Sequence, residues 1–280
     1  MDTPKRRPNK ALRSMHAVWT KGKLAGRMLP LYENWPAAIF SLLVRRRREP
    51  FVVKLRRGVA LSVHTRSLDA NILDEVWSDK IYTPPRFAIR DGWVVVDVGG
   101  HKGIFSTFAA TSAKNVRVYT YEASPETFAV LSENMERNHL TNVKVFNLAI
   151  SGKDGESVLH FYGDDGQDSL LQRANPHLRP KRETTVKTWS LAHLLREVHS
   201  TVNLLKIDIE GMEYEALFSC SAEDLQKVER IALEYHDDTV RVSSSVSELA
   251  DFLQGKGFTT ELVPGREILL AERTAASHAA

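Results

Sequence analysis

The stretch whose reading decides the fold is VVVDVGGHKGIFSTFAA, residues 94–110. Val94, Val95 and Val96 form a short apolar run of the kind that fills a strand buried on both faces of a parallel sheet. Asp97 closes the run, Gly99, Gly100 and Gly103 follow, and an apolar helix-like segment comes next. A strand, a glycine turn and a helix in that order form the cradle that holds nucleotide-like ligands in open α/β sheets. The G-x-G-x-x-G pattern of dinucleotide-binding folds is not met, because His101 stands at its second glycine. That glycine admits a pyrophosphate. A ligand without one is therefore favoured, and S-adenosylmethionine is the leading candidate, set against the plainer reading of glycines that only shape a turn.

Outward from this unit the pattern alternates. A strand over 94–97 leads to a helix near 103–113, a strand over 116–121 and a helix near 125–138, with Ser124 as its cap and Pro125 at its first position. A strand over 143–146 follows, then GESVLHFYG at 155–163 as a further strand and a long polar loop over 163–183. A helix over 190–198, a strand over 203–207, a helix after KIDIEG, a strand over 229–235 and a helix over 246–256 come next. Strands over 258–262 and 267–271, joined by VPGR, close the chain as a hairpin. Alternation of this kind implies right-handed crossovers and an open, mostly parallel α/β sheet with helices on both faces. The closing hairpin makes the last strand antiparallel.

Upstream, Pro36 opens a helix expected to reach about Arg48, and FVVKL with VALSV reads as a hairpin. Ser67 or Asp69 is expected to cap a helix over 70–77. The expected organisation is a basic flexible arm over 1–30 and a helical and hairpin extension over 31–90 that covers the active site. The main domain spans 91–272, and a disordered tail follows over 273–280. Substrate walls are expected from residues 64–90 and from the loop 163–183, where Asp168 and Ser169 are candidate contacts.

A chain of 280 residues buries one sizeable core. Its single cysteine, Cys220, excludes an internal disulfide framework and a thiolate zinc cluster, and fits a reducing, cytoplasmic setting. The first residues, MDTPKRRPNK, lack the apolar core of a signal peptide, and PAAIFSLLV at 36–44 is too short to span a bilayer. The net charge of +3 conceals an asymmetry: residues 1–57 carry +12 and the remainder −9. A solvated basic arm is the plain reading, and an anionic surface as its partner is the sharper one. No strong signal for nucleic acid accompanies it.

Four strand ends carry the candidate chemistry. Glu122 lies 25 residues after Asp97, where a carboxylate accepts both hydroxyls of a bound ribose. Asn147, Leu148 and Ala149 end the third strand, at the position of a base. Asp208 and Glu210, two apart in KIDIEG, point to one side if the chain stays extended. In EYHDD, Glu234 and His236 alternate in the same way, which makes His236 a candidate base. Ligand type also permits a metal on Asp208, Glu210 and His236; spacing alone supplies no geometry, and no metal is assigned from it. The plain readings are an exposed strand-end carboxylate, a loop anchor, a helix cap and a structural histidine.

VVVDVGGHKGIFS, YEASPETFAVLSENMERN, NLAIS and LLKIDIEGMEYEAL, in that order, closely resemble the FkbM family of S-adenosylmethionine-dependent methyltransferases over about residues 50–272. The resemblance implies a class I methyltransferase fold with a seven-stranded sheet, and O-methylation of a small molecule or sugar. By motif position it places Asp97, Gly99 and Gly103 at the methionine end, Glu122 at the ribose, Ala149 near the adenine and Asp208 near the reactive methyl. Gly100, Ala123 and Asn147 complete the expected cofactor contacts. The family's common G-A-N-x-G loop is replaced here by Gly100, His101 and Lys102, and Lys102 is placed to pair with the methionine carboxylate. Asp208 is the first candidate for the catalytic base, His236 the second and Glu210 the third. Two alternatives stand against this reading. A nicotinamide-dependent oxidoreductase is opposed by the absent dinucleotide pattern. A non-catalytic, basic-armed binding module of the same fold is opposed by the intact Asp97, Glu122 and Asp208.

Overall fold

The computed structural model describes residues 26–27, 29–41, 49–65, 67–163, 168–172, 179–236 and 244–274. The chain divides into two compact units, the first ending at Asp79 and the second beginning at Lys80. Most of the basic arm and residues 275–280 of the tail lie outside the described residues.

In the first unit, β1 (Pro50–Lys54) and β2 (Ala60–His64) form the expected antiparallel hairpin, with Val52 opposite Ser62. The helix Trp35–Ile39 carries Pro36 in its first turn; its expected continuation from residue 42 to Arg48 lies outside the described residues. The helix expected over 70–77 is found as Asp69–Asp74 with a wider turn over Glu75–Asp79. Neither Ser67 nor Asp69 caps it. Leu68 stands at the cap position; the Asp69 carboxylate accepts the His64 N–H, and the Ser67 hydroxyl donates to the His64 carbonyl while its oxygen accepts the N–H of Asp69, the first helical residue, at 3.2 Å.

The second unit contains β3 (Val94–Val98), β4 (Arg117–Glu122), β5 (Val143–Asn147), β6 (Ala149–Ser151), β7 (Gly155–Phe161), β8 (Arg182–Ser190), β9 (Leu204–Ile207), β10 (Arg230–Glu234), β11 (Phe258–Leu262) and β12 (Ile268–Arg273). Seven of them form one sheet in the order β11-β12-β10-β9-β3-β4-β5. Strands β5, β4, β3, β9 and β10 run parallel, and β12 lies antiparallel between β10 and β11. This is the sheet expected from the alternating pattern. Every residue of β3 and of β9 is buried, as central parallel strands require. Val94, Val96 and Val98 of β3 pack with Leu191, Leu194, Leu205, Leu249 and Leu253 in the main core. Ser124 caps the helix Pro125–Arg137 by accepting the Thr127 N–H, with Pro125 in the first turn as its residue type predicts. Ser221 and Ser245 open the helices Ala222–Gln226 and Val246–Gly255 with reciprocal capping boxes to Asp224 and Glu248.

A second sheet, in the order β6-β8-β7, corrects the sequence reading in two places. Strand β8 begins at Arg182, inside the expected loop, and extends through residues that carried no assignment. Only Val186 and Thr188 of its nine residues are buried, so its apolar periodicity is too sparse to read. Its pairing with β7, with Val186 opposite Ser157, is what makes it a strand. Strand β6, the second omission, is separated from β5 by Leu148 and pairs with β8 rather than with the main sheet. Among the described residues no helix is long and apolar enough to cross a membrane.

Candidate active site

The parallel strands β3, β4, β5, β9 and β10 all end at one edge of the sheet. β3 lies between β4 and β9, so the chain leaves β3 on one side and returns on the other. Ligands bind at such a switch point.

The glycine loop is folded back on its neighbours. Gly99 and Gly100 donate their N–H groups to the Tyr121 carbonyl at 3.0 and 2.9 Å. Gly99 has φ +83°. A Cβ on Gly100 would fall 2.3 Å from Thr120 Oγ1, so this glycine is needed for close approach to β4. A Cβ on Gly103 would come within 2.5 Å of Met135 Cε. The Lys102 carbonyl accepts from Asn134 Nδ2 at 2.8 Å, and the residue itself is buried.

Asp97 is fully buried and turned inward. Its Oδ2 accepts from Ser106 Oγ at 2.5 Å, and its Oδ1 lies 3.2 Å from Lys206 Nζ. Lys206 was not singled out from the sequence. Its ammonium donates to the Gly99 carbonyl at 2.7 Å and lies 3.5 Å from Asp208 Oδ2, so one buried cation ties β3, the glycine loop and the end of β9 together. Burial opposes the Lys206 charge, but Asp97 and Asp208 outweigh it and hold its pKa above the usual lysine value. Burial also pushes the Asp97 carboxyl above the carboxylate range, with Lys206 and Ser106 pulling the other way.

Glu122 ends β4. Its Oε2 accepts the His101 N–H and its Oε1 the Ser124 N–H, each at 2.8 Å. A carboxylate oxygen has two acceptor sites, so each oxygen keeps one for a ligand hydroxyl. Burial pushes the Glu122 carboxyl up to about 7, against those two N–H donors. Asn147 fixes this strand end, with its Nδ2 donating to the Glu122 carbonyl at 2.9 Å and to the Ala123 carbonyl at 3.2 Å. Ala149 is buried with Leu159, Phe161 and Val186 in the small core against which Ala123 packs. Its side chain thus serves packing.

The acidic loop after β9 gathers the remaining groups. Tyr82 Oη lies 3.2 Å from Asp208 Oδ2 and 2.5 Å from Glu234 Oε2. One hydroxyl hydrogen serves one carboxylate at a time. Burial, reinforced by nearby Asp208, pushes the Glu234 carboxyl up to about 7. A proton on Glu234 lets Tyr82 give its own to Asp208. Burial alone would raise the Asp208 pKa, but Lys206, His236 and Tyr82 hold it below the usual value. His236 Nδ1 lies 2.9 Å from Glu213 Oε1. Burial disfavours the His236 charge, yet Glu213, Asp208 and Glu210 carry its pKa up to about 10. Glu210 adopts φ +53°, and its carbonyl accepts the Ser169 hydroxyl at 2.6 Å. Ser169 is buried and spends its hydroxyl on this loop. Tyr82 and Glu213 join Lys206 as residues that the sequence leaves out of the site, and Glu234, which the sequence places only beside His236, becomes a partner of Tyr82. Lys206, Glu213 and Glu234 lie at or near strand ends, and Tyr82, between Asp79 and Pro85, carries no such signal.

The sheet order, the antiparallel β12 and the acidic ends of β4 and β9 define the class I methyltransferase architecture. The chain belongs to the FkbM methyltransferase family: the methyltransferase FkbM domain matches residues 97–260, more than half of its length. It is similar to the 31-O-demethyl-FK506 methyltransferase FkbM of Streptomyces tacrolimicus, at 27% identity over 80% of this chain and 97% of that protein. It is also similar to Methyltransferase 1 of Beauveria bassiana, at 24% identity over 66% of this chain and 78% of that protein. A crystal structure of methyltransferase FkbM from Methylobacillus flagellatus KT matches with 14% identity and a TM-score of 0.45, covering 93% of this chain and 59% of that one. Family membership does not favour the oxidoreductase alternative.

Proposed function

We propose that the protein is an S-adenosylmethionine-dependent O-methyltransferase acting on a hydroxyl of a small molecule or sugar. The observation that carries this reading is the pair of carboxylates at one sheet edge. Glu122 has an open acceptor site on each oxygen, and Asp208 is held ionised across the glycine loop. The cofactor, when bound, supplies an electrophilic methyl group. Glu122 would hold its ribose, and the backbone of Gly99 to Gly103 its methionine end. The relative from Streptomyces tacrolimicus, named for methylation at an oxygen, supports a hydroxyl acceptor.

Methyl transfer would form a C–O bond at the acceptor oxygen as the cofactor's C–S bond broke, the electron pair leaving with sulfur. The acceptor's proton passes to Asp208. An oxygen that is gaining a methyl group becomes strongly acidic, so a carboxylate of low basicity suffices. Asp208 therefore orients the hydroxyl and receives the proton late. His236 keeps its own proton at neutral pH, which favours Asp208 over it as the acceptor. Lys206 keeps Asp208 ionised, and Tyr82 aims it. We place the enzyme in the cytoplasm, where its buried free thiol Cys220 stays reduced, and assign its basic arm to an anionic surface. The deciding experiment is incubation with methyl-labelled S-adenosylmethionine and a panel of hydroxylated small molecules and sugars. A labelled methyl ether on one acceptor is the expected result, and label transferred only to nitrogen or carbon acceptors would refute it.

A further inference from the structure

We propose that Asp208, Glu210 and His236 form a binding site for one divalent metal ion. One ligand atom from each lies within 4.8 Å of the others. His236 Nε2 stands 4.0 Å from Asp208 Oδ1 and 4.0 Å from Glu210 Oε2. That is too long for a hydrogen bond to either, yet inside the ~4.2 Å that two metal–ligand bonds of about 2.1 Å span at most. His236 is only 7% exposed, and its Nε2 faces both carboxylates.

The surroundings supply the independent support. His236 Nδ1 lies 2.9 Å from Glu213 Oε1, and Glu213 is itself fully buried. A carboxylate on the far nitrogen is what orients a metal-ligating histidine and sets its tautomer. Glu213 Oε1 also accepts the Ile209 and Gly211 N–H groups at 3.0 and 3.1 Å. The same side chain therefore shapes the loop that carries Glu210. Ser169 pins that loop from its other side through the Glu210 carbonyl.

Two carboxylate oxygens and one imidazole nitrogen, without thiolate, suit an ion of the Mn²⁺ or Zn²⁺ kind, which would take the place of the proton on His236 Nε2. Three protein ligands leave coordination positions for exchangeable ligands. Resting on the proposed methyl transfer, those positions would take the acceptor's hydroxyl oxygen and lower its pKa.

The test is titration of the chelator-stripped full chain with Mn²⁺, followed by loss of the free-ion electron paramagnetic resonance signal. One Mn²⁺ per chain is expected. Glu210→Gln conserves volume on a partly exposed side chain and should weaken binding at least about tenfold, His236→Gln should abolish it, and Glu213→Gln should cost about 10- to 100-fold. Circular dichroism controls for folding. No saturable binding by the native chain, or equal binding by folded Glu210→Gln and His236→Gln, overturns the site. The readout needs no turnover, so methyl transfer without Mn²⁺ binding refutes the metal alone, and Mn²⁺ binding by a chain that transfers no methyl refutes the reaction alone.

Discussion

Gly99 and Asp208 meet backbone to backbone: a Cβ on Gly99 would lie 1.8 Å from the Asp208 carbonyl oxygen. The glycine loop after β3 and the acidic loop after β9 are thereby pressed into one wall at the sheet edge. Gly99→Ala adds this clash to the strain of φ +83°, whereas Gly92, at φ +78°, has open space around its Cα. Gly92→Ala should cost about 1 kcal/mol and Gly99→Ala at least about 2 kcal/mol more. Urea unfolding of the two variants measures the difference, and equal losses would show that the contact is soft.

Cofactor affinity should depend on pH through Glu122. Its carboxyl is pushed up to about 7 by burial, so it becomes protonated as the pH falls through neutrality and loses acceptor capacity for the ribose. Calorimetry at pH 8, 7 and 6 should show S-adenosylmethionine affinity falling by up to about tenfold per pH unit below that value. Glu122→Gln should bind about 1.5 to 3 kcal/mol more weakly, with a flat profile. Stability moves the opposite way. A carboxyl whose folded pKa lies above its usual 4.5 contributes most below 4.5 and loses that contribution as pH rises through about 7. A native affinity that ignores pH would exclude Glu122 from the ribose.

Asp208→Asn preserves shape and removes charge. Turnover should fall at least roughly tenfold with little change in cofactor affinity. His236→Gln, measured in parallel, should leave the acidic limb of the pH–rate profile in place, because the proton goes to Asp208. Wild-type turnover by Asp208→Asn on an identified acceptor would refute the assignment.

Lys206 should matter chiefly to the fold. Lys206→Met leaves the fully buried Asp97 without its cation at 3.2 Å, a loss of about 3 to 5 kcal/mol. Adding Asp97→Asn should restore part of it, and a double-mutant cycle from denaturant unfolding gives the coupling. Strict additivity would mean that the two groups act independently.

Cys220 is buried, and burial pushes its thiol up to about 12. Since the thiolate is the reactive form, an aromatic disulfide reagent at pH 8 should label the native chain far more slowly than the denatured chain. Comparable rates would place this residue nearer the surface.

The sequence alone determined the parallel sheet, its antiparallel end and the places where the site's acids stand. Those features are local: buried runs such as VVV and LLKI, caps such as Ser124 with Pro125, and a glycine turn after Asp97 depend on neighbours a few residues away. Tertiary structure alone decided what each side chain faces. Lys206 reads as a polar interruption in LLKIDI until β9 lies beside β3 and sets its ammonium against Asp97. Tyr82 reaches Asp208 across 126 residues and Glu234 across 152, and no periodicity spans such distances. Strand β8 carries too few apolar residues to announce itself, and pairing with β6 and β7 supplies what propensity does not. Glu213, which spacing makes only an early residue of a helix, becomes the buried partner of His236 because β10 ends beside that helix. Backbone geometry follows from adjacent residues; the partners of a charged group follow from strand order, which packing of distant segments fixes.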